Sequence, residues 1–494
     1  MAYSTLPSSA PLRQVKPSRA QRPGRPLSRS RLHLPCGTKD GFVSLRPFFN
    51  GLLALASLFA VAAWSADTGS FAGRNVVMLV MDTTRFDHLG LPGYPKDTPP
   101  FLDSLAADAV VFDRAYSGSS WTAPSTASIF TSLYPDQHGV TSGCCFYQRV
   151  REKEPELRLN RLPSAVETLP EMMRAAGYRN FCAADNANIR ERVGFARGFD
   201  HFAGTSYAGG EALNIQLGTW KKELRSGEGP FFLYAQDMDA HEPYHEQEPY
   251  YQLEGMVAKG FVKGAARYDS ELRYLDELLR WLFDEHGLDE NTLVKLTADH
   301  GEEFGDHGGN GHDGGLYEEL VHVLLFVIGR NSCVQLDFEP ERVPGMVSTL
   351  DLRPTLRELM DQPAAEVAEG RSLAPLRWAD PETRALAGRE VRTVFSHRTS
   401  AAVSRKREYF GIYEIDWQLI SDAGSLLPPQ LFDLATDPNS ELDLACTHPQ
   451  IRERLLRELK TFQGRPKPIQ HESAEPVTLD EAAQAELSRL GYAE

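Results

Sequence analysis

The feature that most constrains this chain is a set of short apolar runs, several of which stop on an acid or an imidazole. Residues 76–81, 231–235 and 322–329 are mostly Val, Leu, Ile, Met, Phe and Ala, 292–297 is a shorter run with Leu293, Val294 and Leu296 at its centre, and 178–184 is a weaker run of the same kind. Each is strand length, and the stretches between them carry helical patterns. That alternation predicts an α/β domain around a buried, mostly parallel sheet. Asp82, Asp185, Asp237 with His241, and Asp299 with His300 follow four of the runs. Sites in open α/β sheets gather at the carboxyl ends of strands, so these side chains are candidate functional groups; a turn residue is the plain alternative for any one alone.

The remainder of the chain divides by pattern. In 266–286, Tyr268, Leu272, Leu275, Leu279 and Leu282 recur at three- and four-residue steps, a helix with a core-facing stripe. Shorter helices are expected at 99–107 and at 169–176, the second closed by Gly177. We read 67–74 as a linker, 75–370 as the large domain and 371–390, rich in Ala, Glu, Pro and Arg, as a connector. Residues 391–462 form a small antiparallel α+β subdomain, with strands at 391–396, 408–413, 417–420 and 430–434 and a helix at 449–462. The tail, 463–494, is polar until an amphipathic turn at 487–492.

Charge is unevenly spread. Residues 1–46 hold nine basic side chains and one acid, a net of +8, leaving −24 on the rest of a chain whose total is −16. A body that acidic is a poor nucleic-acid binder, because binding a polyphosphate requires cations to displace its counterions. The uncharged run 52–63, followed by Ala63 and Ser65 at signal-peptidase spacing, reads as a secretory signal. Extended to 48–66 it becomes an uncleaved membrane anchor instead. Either reading places the acidic body outside the cytoplasm, periplasmic or secreted. Six cysteines in 494 residues exclude a disulfide-stapled scaffold.

Two further segments carry chemistry. In Ser120-Trp121-Thr122-Ala123-Pro124-Ser125, Pro124 marks a helix start and puts Thr122 at or just before its N-terminus. The dipole there favours an anion, an ionised hydroxyl or a bound phosphoryl group, although a simple helix cap has the same appearance. In Thr297-Ala298-Asp299-His300-Gly301, adjacent carboxylate and imidazole after a strand can reach one cation from a tight turn. That pair suits zinc or manganese, and the oxygen-rich remainder tolerates calcium or magnesium.

The order Asp82 … Thr122-x-Pro124-Ser125 … Asp299-His300-Gly301 resembles the sulfatase family of the alkaline phosphatase superfamily. Supporting phrases include "TPPFLDSLAADAVVFDRAYSGSSWTAPSTASIFTSLYPDQHGV", "AHEPYH" and "GLYEELVHVLLFVIG". The resemblance covers roughly residues 75–450. It implies a large mixed, mostly parallel sheet sandwiched by helices, followed by the small antiparallel subdomain, and an activity toward small-molecule, glycan or lipid esters. Carried over residue by residue, it implies a divalent metal (calcium, manganese or zinc) on Asp82, Asp299 and His300, with Thr122 as nucleophile and ligand. It also implies His241, His307 and His312 as acids for the leaving oxygen or clamps on the ester. Asp237 and His241, four apart, would hold a second metal with His312, and Arg85 and Asn186 stand as second-metal or substrate contacts.

The chain also departs from the family pattern. Sulfatases carry Cys or Ser, oxidised to formylglycine, followed by x-Pro-x-Arg; here Thr122 and Thr126 occupy the first and last places. The family's Lys-x-His signature is replaced by Asp185-Asn186-Ala187, its lysine after Asp-His-Gly is replaced near His312, and the second Asp of its Asp-Asp pair is Thr83. An unmodified threonine favours phosphate or phosphonate esters. The alternatives are a sulfatase proper, transfer of a phosphoryl headgroup to an alcohol, and a non-catalytic binding relative. The superfamily's headgroup transferases carry several membrane spans and this chain has one at most, which favours a hydrolase.

Overall fold

In the computed structural model, the described residues are 71–144, 159–205, 207–252, 260–286, 291–312, 314–330, 341–365, 367–374, 392–399, 407–423, 428–467 and 469–473. The expected leader or anchor, most of the connector and the turn at 487–492 lie outside them. No described helix is long and apolar enough to cross a membrane.

The strands in chain order are β1 (Asn75–Met81), β2 (Val110–Tyr116), β3 (Asn160–Arg161), β4 (Arg179–Asp185), β5 (His201–Thr205), β6 (Phe231–Asp237), β7 (Thr292–Thr297), β8 (His322–Val323), β9 (Leu325–Arg330), β10 (Glu341–Ser348), β11 (Val394–Thr399), β12 (Glu408–Tyr413), β13 (Trp417–Asp422), β14 (Gln430–Asp433) and β15 (Glu472–Ser473). The helices are α1 (Pro100–Ala106), α2 (Thr122–Thr131), α3 (Pro135–His138), α4 (Leu169–Ala175), α5 (Gly209–Leu224), α6 (Gly260–His286), α7 (Glu318–Val321), α8 (Leu352–Leu359) and α9 (Pro449–Gln463).

Among the described residues, the large sheet runs β10-β2-β9-β7-β1-β6-β4-β5, with β8 added against β2. β1 pairs in parallel with both β6 and β7, and β4 with both β6 and β5. β9 is the reversed strand, antiparallel to β7 and β2. The sheet is therefore mixed and mostly parallel, as the alternating pattern predicts. β1, NVVMLVM, is buried along its length except at its first residue, because a central parallel strand is covered on both faces. The stripe Tyr268, Leu272, Leu275, Leu279 and Leu282 of α6 is likewise buried.

β11 to β14 form a separate antiparallel meander in sequence order. α9 closes it, burying Leu455, Leu459 and Phe462 with Phe410, Ile412, Leu419 and Leu431. Beyond α9 the chain returns to the large domain. Arg465 pairs with Asp136 of α3 at 2.7 Å, and β15 pairs with β3.

Candidate active site

The parallel strands deliver their carboxyl ends to one edge of the sheet, and the site is assembled there. Asp82 follows β1 directly, with its backbone N–H donating to the Asp237 carbonyl at the end of β6 (2.9 Å). Thr83, the next residue, takes a left-handed φ of 55°. For a β-branched residue that conformation costs about 1–3 kcal/mol, and it persists where surrounding contacts over-determine it. Here the Thr83 hydroxyl donates to Ala240 O (2.7 Å) and its carbonyl accepts from the Tyr268 hydroxyl of α6 (2.8 Å). The turn thereby locks β1 to the ends of β6 and α6.

Thr122 arrives from β2. It is the first residue of α2, after an extended Trp121. The preceding loop is tied to the β7 end through Ser117, whose hydroxyl donates to the Asp299 carbonyl. Ser125 Oγ in turn donates to Ser119 O (2.8 Å), closing the loop onto the helix. Asp299 and His300 lie just beyond β7 and are wholly buried, as is Asp82.

These elements converge. Thr122 Oγ1 lies 3.3 Å from His300 Nε2 and donates to Asp82 Oδ2 at 3.4 Å. His300 Nε2 is 3.5 Å from Asp82 Oδ1 and 3.7 Å from Asp299 Oδ2. Asn186, just past β4, donates to Asp82 Oδ2 (2.7 Å) and to Thr122 Oγ1 (3.4 Å). His300 Nδ1 sits 2.8 Å from Gly301 O. A carbonyl can only accept, so Nδ1 carries the proton and Nε2 presents its lone pair to the cluster.

Among the described residues, Asp82, Asp299 and His300 are the group whose donor atoms could hold a metal ion. The residues fit one. Asp82 Oδ1 is buried and accepts no hydrogen bond from any described residue, a costly state that a cation would relieve. Burial and the Asp299 charge raise the Asp82 pKa to about 6; burial raises Asp299 to about 7. Burial and the neighbouring His312 lower His300 to about 4, which leaves its imidazole neutral and able to ligate.

Both aspartates thus titrate above the ordinary carboxylate pKa of about 3.9, and the metal-free fold holds protons that the unfolded chain has released. The two aspartates are therefore expected to cost metal-free stability as pH rises from about 4 through 7. His300, whose pKa is lowered, offsets part of that loss between about pH 4 and 6.5, and the net for the three groups is a fall. Calorimetric Tm measured with and without divalent metal checks this. The metal-induced increase should grow between about pH 5 and 8, where ligands no longer need to lose protons. A pH-independent increase would contradict the assignment.

His312 is brought to His300 by a bridge, Glu303 N to Gly311 O (2.8 Å) and Gly311 N to Glu303 O (3.0 Å), which sets residue 302 opposite 312. The His312 ring centroid lies 4.6 Å from that of His300 and 5.0 Å from that of His241. His312 Nδ1 faces Glu302 Oε1 at 3.0 Å. His241 Nδ1 donates to Glu242 O at 2.6 Å, and burial together with His312 holds its pKa down.

Other expected residues stand apart. The Asp237 carboxylate accepts from Asp239 N (2.8 Å), its Oδ2 lies beside Gly210 of α5, and it is not among the donors grouped with Asp82, Asp299 and His300. The Arg85 guanidinium is engaged by Asp87 (2.7 Å), Asp306 (3.0 Å) and Glu302 O (2.9 Å), and lines a neighbouring cleft of about 910 Å³. His307 is held between Glu319 (2.7 Å) and Ser440 O (2.9 Å) and joins the two sheets' loops. Sequence reasoning missed Gln236 and Glu302. A polar side chain inside the otherwise apolar β6 was the available signal for the first.

This arrangement, a mixed sheet with an Asp-Asp-His cluster and a hydroxyl at its carboxyl edge, defines an alkaline-phosphatase-like α/β protein. The sulfatase family model matches residues 74–362, and the chain belongs to that family. It is 25% identical over 295 residues to N-acetylgalactosamine-6-sulfatase of Mus musculus, covering 51% of this chain and 54% of that one. It is 25% identical to arylsulfatase A of Homo sapiens over 487 residues, 83% of this chain and 89% of that one. The phosphonate monoester hydrolase of Agrobacterium radiobacter superposes with a TM-score of 0.64 at 19% identity, covering 79% of this chain and 95% of that one; at that identity the likeness is one of fold. The chain spans about half the length of the N-acetylgalactosamine-6-sulfatases it matches.

Proposed function

We propose that this protein is a metal-dependent ester hydrolase acting outside the cytoplasm, with Thr122 as an unmodified nucleophile and phosphate or phosphonate esters as substrates. One observation carries the reading: Thr122 Oγ1 lies 3.3 Å from His300 Nε2 and 3.4 Å from Asp82 Oδ2, in the cluster that suits a cation. Its oxygen would attack phosphorus, expel the leaving alcohol and form a threonyl ester that water then hydrolyses. A divalent ion bound by Asp82, Asp299 and His300 would lower the hydroxyl pKa and neutralise charge on the transferred group.

The chain's own residues divide the remaining work. Asn186 holds both Asp82 and the nucleophile. His312, with Glu302 at Nδ1, suits protonation of the leaving oxygen, because a carboxylate there stabilises a charged ring. His241, held neutral by burial, suits hydrogen-bond acceptance. The location rests on the N-terminal leader or anchor pattern. The ester is borne by a small molecule, glycan or lipid.

Sulfate esters are the second reading, favoured by the family match and the sulfatase relatives. A panel of aryl phosphodiesters, phosphonates and sulfates on metal-loaded protein decides between them. We expect the phosphodiester to be cleaved faster than the sulfate; the opposite order would establish the sulfatase reading.

A further inference from the structure

Gln236 is the next-to-last residue of β6, wholly buried, and its amide stands between the two carboxylates of the cluster. Nε2 donates to Asp82 Oδ2 at 2.9 Å and to Asp299 Oδ2 at 3.3 Å. Carboxylates so placed accept from an amide nitrogen and not from its oxygen, which fixes the sense of the side chain. The other end is fixed independently: the buried Tyr234 hydroxyl donates to Gln236 Oε1. Tyr234 and Gln236 are two apart on one strand and share a face. Tyr234 is wedged in turn against Phe130 of α2, with ring centroids 5.0 Å apart.

The consequence falls on Asp82. Its Oδ2 receives two amides, from Gln236 and Asn186, whereas its Oδ1 receives no hydrogen bond from any described residue. The carboxylate is therefore locked with one oxygen saturated and the other directed at His300 Nε2, 3.5 Å away. The same amide draws Asp299 Oδ2 toward Asp82, offsetting part of the repulsion between two buried carboxylates without adding a charge. We propose that Gln236, held by Tyr234, is the positioning residue of the cation site, setting the orientation and separation of Asp82 and Asp299. This rests on the reading that Asp82, Asp299 and His300 hold a divalent cation.

The test titrates the metal-free full chain with Mn²⁺ by calorimetry, for the parent, Gln236→Leu and Tyr234→Phe. Removing a partner that orients a ligand typically weakens metal binding by about 10–100-fold. Gln236→Leu is expected in that range, and Tyr234→Phe, which frees the amide without deleting it, is expected to weaken binding by a smaller factor in the same direction. Far-ultraviolet circular dichroism should be unchanged in both. A parent that binds Mn²⁺ and a folded Gln236→Leu that binds it within about two-fold would overturn the role of Gln236 alone. If Gln236→Leu does not fold, unaltered affinity in Tyr234→Phe overturns it. A parent that binds no Mn²⁺ would overturn the cation reading together with this inference.

Discussion

Thr122→Ala protein is expected to lose turnover by on the order of a thousand-fold or more while keeping its metal and its fold. The expectation follows from position. The Thr122 hydroxyl touches Asp82, His300 and Asn186, yet the donors suited to a cation come from Asp82, Asp299 and His300. Removing one Oγ deletes the atom proposed to attack and leaves those donors in place. The cavity is small, and Thr122 sits at the first position of α2 rather than in the middle of its packed length. Thr122→Ser, which retains an oxygen at the same place, should keep a measurable fraction of the rate. The checks are kcat/KM and metal content by elemental analysis on the same preparations. Full activity in Thr122→Ala would remove Thr122 from the reaction.

Asp299→Asn is expected to move metal affinity and metal-free stability in opposite directions. The Asp299 pKa of about 7 reflects a carboxylate that burial penalises when ionised, against the lowering effect of its hydrogen bonds from His300 N and Gln236. An amide of the same shape carries no such penalty, so above about pH 7 the metal-free variant should be more stable than the parent, by about 1–3 kcal/mol. With a ligand charge gone, metal affinity should drop by more than about a hundred-fold and activity with it. Tm of the metal-free proteins and calorimetric titration with Mn²⁺ read the two effects separately. A variant that is both less stable without metal and unimpaired in binding would show that Asp299 is an ordinary core group. The opposition expresses a general exchange, in which a site built to hold a cation is strained in its absence.

What could be read in advance follows the physics of burial. β1, β6 and β7 lie inside the sheet and are buried, so β1 after its first residue and the first five residues of β6 are continuous apolar runs. β7, TLVKLT, is buried too but carries Thr292, Lys295 and Thr297, and 292–297 is its observed extent. The polar residues that end them are exceptions inside an apolar context, which is why Asp82, Asp299 and His300 stand out. β2 carries Asp113 and Arg114 in mid-strand and escaped notice. The structure accommodates both, through Arg342 on Asp113 (2.6 Å) and Ile415 O accepting from Arg114. β10 is an edge strand whose alternation is broken by Pro344 and Gly345 at a register shift, and β5 is a five-residue edge strand with no buried residue.

The run 322–329, read as one strand, divides at Leu324. β8 pairs with β2 alone, while β9 lies between β2 and β7 and pairs with both, a division made by partners distant in sequence. The same limit applied within the site. That Thr122, Asp82 and His300 converge required the family resemblance, because no local pattern spans 178 residues. Glu302 and Gln236 show their roles only once the bridge between Glu303 and Gly311, and the pairing of Val80 with Gln236, are in place.

The central claim is that one ion is shared by Asp82, Thr122, Asp299 and His300. Anomalous diffraction from crystals of the full chain soaked in Mn²⁺ tests it most directly. The account predicts a single strong peak within about 2.0–2.6 Å of oxygen or nitrogen atoms of all four residues. A peak elsewhere, or one at the aspartates with the Thr122 hydroxyl turned away and beyond ligand distance, would contradict it.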